Sequence, residues 1–385
     1  MLDQMRILLL FGTRPEAIKM APVVRCLRET AWARPVVAVT GQHREMLDQV
    51  LEIFAIHPDI DLDLMRHGQS LSELTARTLV GVTGALRALQ PDLLLVQGDT
   101  TTAVVGALAA FYERVPIGHI EAGLRSYDMY DPFPEEINRH VLSVLAGQHF
   151  APTEQAQRNL LAEGVSSDSI VVTGNTVVDA LLTVSGSRRL QQLPAMPWEH
   201  PDRRFVLVTL HRRESWGEPM VAMCRSLRRA LDSFPDTDVL FPMHRNPTVR
   251  QAVRCALGDH PRAHLIEPLD YISFVRAMSR CHLIVTDSGG VQEEAPVLAK
   301  PVLILRETTE RPEALEAGTA RLVGTQPERV FSALSELLSD RRAYDRMAHA
   351  ASPFGDGHAA EQIVEAIRCW RPEPRHAREL IAAGA

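Results

Sequence analysis

Short apolar, β-rich runs alternate with amphipathic helical stretches along almost the whole of this chain, and no other feature restricts its fold so tightly. βαβ units produce such alternation: each strand enters a parallel sheet buried on both faces, and each helix carries the chain back across it. In the first half the predicted strands are Arg6–Phe11, Val36–Thr40, Leu93–Gln97, Ile117–Glu121, His149–Ala151 and Ile170–Thr173. Predicted helices between them run over Ala17–Thr30, Arg44–Phe54, Ser72–Leu89, Thr102–Tyr112, Ile137–Leu145 and Glu154–Glu163. The proline-broken segment Leu190–Asp202 cannot continue a helix, and the pattern restarts after it. There the predicted strands are Phe205–Leu210, Val239–Pro242, His264–Ile266, Leu283–Thr286, Pro301–Leu305 and Arg321–Val323. At 385 residues the chain exceeds the roughly 250–300 at which a single core stops growing. Two doubly wound α/β halves with parallel sheets are therefore expected, the first over 1–175 and the second over 176–358. Ligand should lie outside the carboxyl ends of their strands.

Composition excludes several partners. A net charge of -7 and a pI near 6.1 give no general attraction for nucleic acid or anionic lipid, so any bound anion must be held by local groups. Cys26, Cys224, Cys255, Cys281 and Cys369 are odd in number and far apart, which suggests neither a disulfide framework nor a zinc ribbon. The apolar run Ile7–Phe11 is short for a secretory signal, and no run approaches the ~18 apolar residues of a membrane span. A cytoplasmic protein is expected. GxGxxG, GxxxxGK and HExxH patterns are absent, which disfavours NAD chemistry, Walker-type hydrolysis and zinc proteolysis. No cofactor and no metal are expected.

The unusual polar residues fall at predicted strand ends. After the first strand, Gly12-Thr13-Arg14-Pro15 forms a glycine turn with proline suited to a first helical turn, and Arg14 and Lys19 sit near that helix start. Phosphate binding and a plain turn with two solvated cations both fit. Gly98-Asp99-Thr100 and Glu121-Ala122-Gly123 follow two further strands, and the loop Asp131–Arg139 presents Glu135 or Glu136. Asp99 alone would serve as a helix N-cap and Glu121 as a partner for Arg125. Three carboxylates at one sheet edge favour chemistry instead, because clustering them is costly without use.

In the second half, His211-Arg212 and His244-Arg245 each follow a strand, which suits an anion pocket. In Thr286-Asp287-Ser288-Gly289-Gly290, bare amides and a hydroxyl at a helix start can cradle a pyrophosphate. Glu294 then suits a ribose diol. The stretch Arg306–Glu313 supplies a guanidinium fork for phosphate.

GTRPEAIKMAP, QGDTTT, HIEAGLRS, PFPEEINR, TLHRRES, HRNP, TDSGGVQEEAP and RETTERPEA, in this order, resemble the non-hydrolysing bacterial UDP-N-acetylglucosamine 2-epimerases from Met5 to about Trp370. The resemblance implies two Rossmann-like domains facing across a cleft (GT-B-like), a C-terminal helix at about 359–385 completing the first, and a homodimer. It implies that Arg14, His211, Ser288, Gly290, Glu294 and Arg311 hold UDP, with Gly289 and His244 beside them. Lys19, Asp99, Glu121, Glu135 and His211 match the family's catalytic positions. The implied reaction interconverts UDP-N-acetylglucosamine and UDP-N-acetylmannosamine, through anti elimination of UDP to 2-acetamidoglucal and syn re-addition. A second, activating UDP-sugar is implied beside Gln42, His43 and Arg44, although Glu45 and Gly68 depart from regulated members. A hydrolysing epimerase, a retaining glycosyltransferase and a silent nucleotide-sugar sensor are the competing readings.

Overall fold

A computed structural model describes residues 4–41, 44–66 and 68–370. The described residues divide into two compact units: one runs to Ala180 and resumes at Phe354, and the other is Leu181–Pro353.

The first unit contains β1 (Met5–Phe11), β2 (Ala33–Val39), β3 (Ile60–Asp61), β4 (Leu93–Gln97), β5 (Ile117–Ile120), β6 (Gln148–Ala151) and β7 (Ile170–Val172). They form one parallel sheet in the order β3-β2-β1-β4-β5-β6-β7, in which Leu8 aligns with Val36 on one side and Leu94 on the other. Both faces of the central strands are buried, which is why they read as unbroken Leu/Val/Ile runs. Leu8, Leu10, Leu94 and Val96 pack with Ala103, Ala107 and Ala110 of the helix Thr101–Tyr112. Small residues let that helix approach closely: a Cβ on Gly106 would come within 2.3 Å of Leu10 Cδ2.

The second unit contains β8 (Arg204–Thr209), β9 (Thr237–Pro242), β10 (Ala263–Ile266), β11 (Leu283–Thr286), β12 (Val302–Ile304) and β13 (Ala320–Leu322). Their order is β10-β9-β8-β11-β12-β13, again all parallel. Val206, Val208, Phe241 and Val285 are buried with Met220, Leu227, Val253 and Leu334 from its helices.

Several boundaries differ from the sequence reading. The division falls inside the helix Thr176–Ser185 and not at 175/176. Within the second unit, the proline-broken segment is anchored by buried Trp198 and by Glu199, which pairs with Arg276 at 2.5 Å. β3 was not predicted, since two residues carry no periodic signal. The first helix starts at Arg14, three residues before the predicted Ala17, because Thr13 caps it and Pro15 fits its first turn. Asp179 accepts the Ala359 and Ala360 N–H groups at 3.3 and 2.8 Å, and the helix Ala359–Trp370 packs on Arg14–Arg28, so the chain's return completes the first unit.

Candidate active site

In each sheet the strand order reverses once, between β1 and β4 in the first unit and between β8 and β11 in the second. Chains leaving the two strands at such a point diverge and open a crevice at their carboxyl ends. The polar residues singled out above gather around these two points.

In the first unit, Glu16 stitches the loops after β1 and β4 together, a role the sequence reading passed over. Its carboxylate accepts the Gly12 and Thr13 N–H groups at 3.0 and 2.7 Å and the Thr100 hydroxyl at 2.6 Å. Burial raises its pKa, while these hydrogen bonds pull the other way. Arg14 is thereby fixed, half-buried, at the first turn of its helix. Gly12 is required for close packing and not for a turn conformation, since a Cβ there would lie 2.0 Å from Thr40 Oγ1.

Lys19 and Glu121 form an ion pair at 2.5 Å, and Gln97 Nε2 donates to the same Glu121 oxygen at 2.8 Å. Glu121 adopts φ +65°, a left-handed conformation that costs a non-glycine residue on the order of 1 kcal/mol or more. Arg125 is not its partner. That guanidinium pairs with Glu163 at 2.7 Å and donates to Ser143. Nor is Asp99 a helix cap, because Thr100 accepts the Ala103 N–H. Instead the Asp99 carboxylate is gripped by Arg139 at 2.7 Å while remaining a quarter exposed, and Asn138 donates to the Asp99 carbonyl at 2.8 Å.

Glu135 and Glu136 differ in burial. Glu136 is buried and accepts the Ser126 and Tyr127 N–H groups and Arg139, so its carboxylate is taken up in fixing the loop. Burial would raise its pKa, but those partners hold it below the ordinary value. Glu135 opens the helix half-buried, one turn from Arg139 on the same face. Gln97 and Arg139, which fix the orientation of Glu121 and Asp99, were missed in sequence; each lay within a quoted or strand-end motif.

In the second unit, Asp287 is fully buried and joins the loops after β11 and β8. One oxygen accepts the His211 and Arg212 N–H groups at 2.8 and 2.9 Å, and the other lies 2.9 Å from His211 Nδ1. Burial would raise the Asp287 pKa, yet His211 and the two amides hold it below the usual carboxylate range. The His211 ring is half-exposed and turns Nδ1 toward this carboxylate. The His244 ring stacks 5.9 Å away. Burial first, and His211 second, lower its pKa, and its Nδ1 accepts the Asn246 N–H at 3.2 Å, so it is neutral.

Ser288 begins the helix Gly289–Glu294 without using its hydroxyl as a cap. Gly289 lies against the Arg311 guanidinium, where a Cβ would sit 3.0 Å from Cζ, whereas a Cβ on Gly290 would meet nothing within 4 Å. Arg311 is oriented by Glu293 at 2.9 Å and Glu310 at 3.5 Å. Burial would raise the Glu310 pKa, but Arg306, Arg311 and Arg212 hold it down at about 2. Arg306 itself is buried in a two-point contact with Glu310, so within the expected guanidinium fork it braces the loop and Arg311 reaches the Ser-Gly-Gly turn. Tyr271 donates to the Glu294 carboxylate at 3.0 Å and holds it in place. Gln42 and His43 lie outside the described residues, as do 371–385; the side chain of Arg44, at the start of the helix Arg44–Ile53, is not described either.

Two Rossmann-like doubly wound domains of GT-B type, with acids at one switch point and an arginine-backed Ser-Gly-Gly turn at the other, define a class of sugar-nucleotide enzyme. A family model described as UDP-N-acetylglucosamine 2-epimerase matches residues 25–368, and the chain belongs to that family, a group of isomerases acting on carbohydrates. The UDP-N-acetylglucosamine 2-epimerase of Escherichia coli K12 is 49% identical over 370 residues, covering 94% of this chain and 98% of the relative. The Neisseria meningitidis UDP-GlcNAc 2-epimerase bound to UDP-GlcNAc is 45% identical with a TM-score of 0.89, covering 95% of this chain and 100% of that one. The Methanocaldococcus jannaschii UDP-GlcNAc 2-epimerase in complex with UDP-GlcNAc and UDP is 32% identical with a TM-score of 0.81, over 95% and 100%. Among the described residues no helix is long and apolar enough to cross a membrane.

Proposed function

We propose that this epimerase interconverts UDP-N-acetylglucosamine and UDP-N-acetylmannosamine without net hydrolysis, by anti elimination of UDP to 2-acetamidoglucal and syn re-addition to the opposite face. One observation carries the reading: carboxylates held by cations stand at the switch point of one unit, while the arginine-backed Ser-Gly-Gly turn stands at that of the other. The C2 hydrogen is not α to a carbonyl, so a carboxylate acting alone faces a very large pKa gap, and general base catalysis supplies only about 10²–10⁴-fold. Departure of the diphosphate removes that difficulty. Positive charge building at C1 acidifies C2–H, while Arg14, Arg311, Ser288 and Gly290 stabilise the leaving anion.

In this scheme Asp99, Glu121 and Glu135 handle the C2 hydrogen and the developing charge, with Lys19 neutralising Glu121 when the sugar is absent. His211, its tautomer set by Asp287, serves the diphosphate oxygen through Nε2, and Glu294 takes the ribose diol. The protein is cytoplasmic and supplies N-acetylmannosamine units for bacterial surface polysaccharide. It works as a homodimer: Phe111, Tyr112, Ile137, Val141 and Val144 leave an apolar face exposed on two adjoining helices of the first unit, and a second copy covers it.

Incubation with UDP-N-acetylglucosamine, followed by proton NMR, should show UDP-N-acetylmannosamine accumulating to a fixed ratio with no free sugar. Accumulation of free N-acetylmannosamine would transfer the protein to the hydrolysing class. A requirement for an acceptor sugar would make it a glycosyltransferase.

A further inference from the structure

His200, Asp238 and His264 converge at the amino-terminal edge of the second sheet, each offering one ligand atom within 4.8 Å of the others. Asp238 is the second residue of β9, and β9 delivers His244 two residues beyond its other end. The cluster therefore lies at the opposite end of that strand from the residues discussed above. His264 comes from the neighbouring edge strand β10, and His200 from the proline-broken segment that precedes β8.

We propose that these three side chains form a site for a zinc-class divalent ion that staples the proline-broken segment to β9 and β10. Two imidazoles and one carboxylate are the donor set preferred by zinc and its borderline neighbours, with water completing the coordination. Asp238 is buried, and Arg203 occupies its Oδ1 at 2.6 and 2.9 Å, which aims Oδ2 at His264 Nε2, 3.1 Å away. Such an outer partner orients a ligating carboxylate and restricts it to one oxygen.

His200 is exposed, but its backbone is not loose. Trp198 is buried two residues before it, Glu199 pairs with Arg276, and the His200 carbonyl accepts the Arg203 N–H. The His200 and His264 rings already lie 6.4 Å apart between centroids. An ion about 2.1 Å from each donor spans donors up to roughly 4.2 Å apart, so rotation of the exposed His200 side chain closes what remains. Neither histidine belongs to the epimerase machinery, and the ion's role is structural.

The test uses the full chain stripped with a chelator and titrated with Co²⁺, followed by visible absorption, and with Zn²⁺, followed by thermal melting. One Co²⁺ per chain with ligand-field bands, and a rise in Tm with zinc, are expected. His200→Ala and His264→Gln should each weaken Co²⁺ binding at least about tenfold, and His200→Ala should keep the wild-type epimerisation rate. Equal Co²⁺ binding by wild type and His200→Ala, or no ligand-field band at all, would overturn the site and leave an ordinary Arg203–Asp238–His264 ion-pair network.

Discussion

Glu121→Gln is expected to lower the rate of epimerisation by about 10²–10⁴-fold, the range that a positioned acid or base contributes, while UDP affinity changes little. Glutamine has nearly the same shape and can still accept from Gln97, but it carries no charge and cannot take up a proton from carbon. The carboxylate it replaces sits in left-handed backbone, almost buried between Lys19 and Gln97. Losing an anionic partner for Lys19 also has a stability cost, since breaking a buried pair commonly costs about 3–5 kcal/mol. Melting temperature and UDP binding must therefore be measured beside the rate. A slow enzyme that still melts cooperatively and binds UDP is the expected outcome; a normal rate would remove Glu121 from the mechanism.

The second large effect is expected from Asp287→Asn, again about 10²–10⁴-fold in kcat with KM little changed. The amide oxygen can accept the His211 and Arg212 N–H groups as the carboxylate does. Its NH₂ then faces His211 Nδ1, which must become an acceptor, so the ring proton moves to Nε2 and the imidazole presents the wrong tautomer. Because the substitution preserves shape and hydrogen-bond count, folding should survive it. A merely structural Asp287 would instead show a lowered Tm with kcat and its pH profile unmoved. The expected signature is a fall in kcat with Tm held.

The strand-end placement of the polar groups was legible because parallel strands advertise themselves as apolar runs, and whatever polar residue ends such a run must lie at the sheet's carboxyl edge. Asp99, Glu121, His211 and Ser288 were all placed there by that rule. What a carboxylate touches was not legible. Asp99 as a cap and Glu121 as the partner of Arg125 were reasonable from local spacing, yet Thr100 took the cap, and Glu163, just past the end of a helix and 38 residues further on, took the arginine. Lys19 reaches Glu121 across 102 residues of sequence, and Asp287 reaches His211 across 76, distances over which spacing carries no information. The Glu135/Glu136 ambiguity was of the same kind: adjacent residues of one type differ only in which faces the Ser126–Tyr127 turn.

The most direct test of the account is epimerisation in D₂O, with the product examined at C2 by NMR and mass spectrometry. If UDP leaves to form a glucal and the hydrogen at C2 is removed and replaced, each inversion must bring one deuterium to C2, and UDP-N-acetylmannosamine will form with the label in place. Product carrying the original hydrogen at C2 would contradict elimination and re-addition, and with it the roles given to Asp99, Glu121 and Glu135.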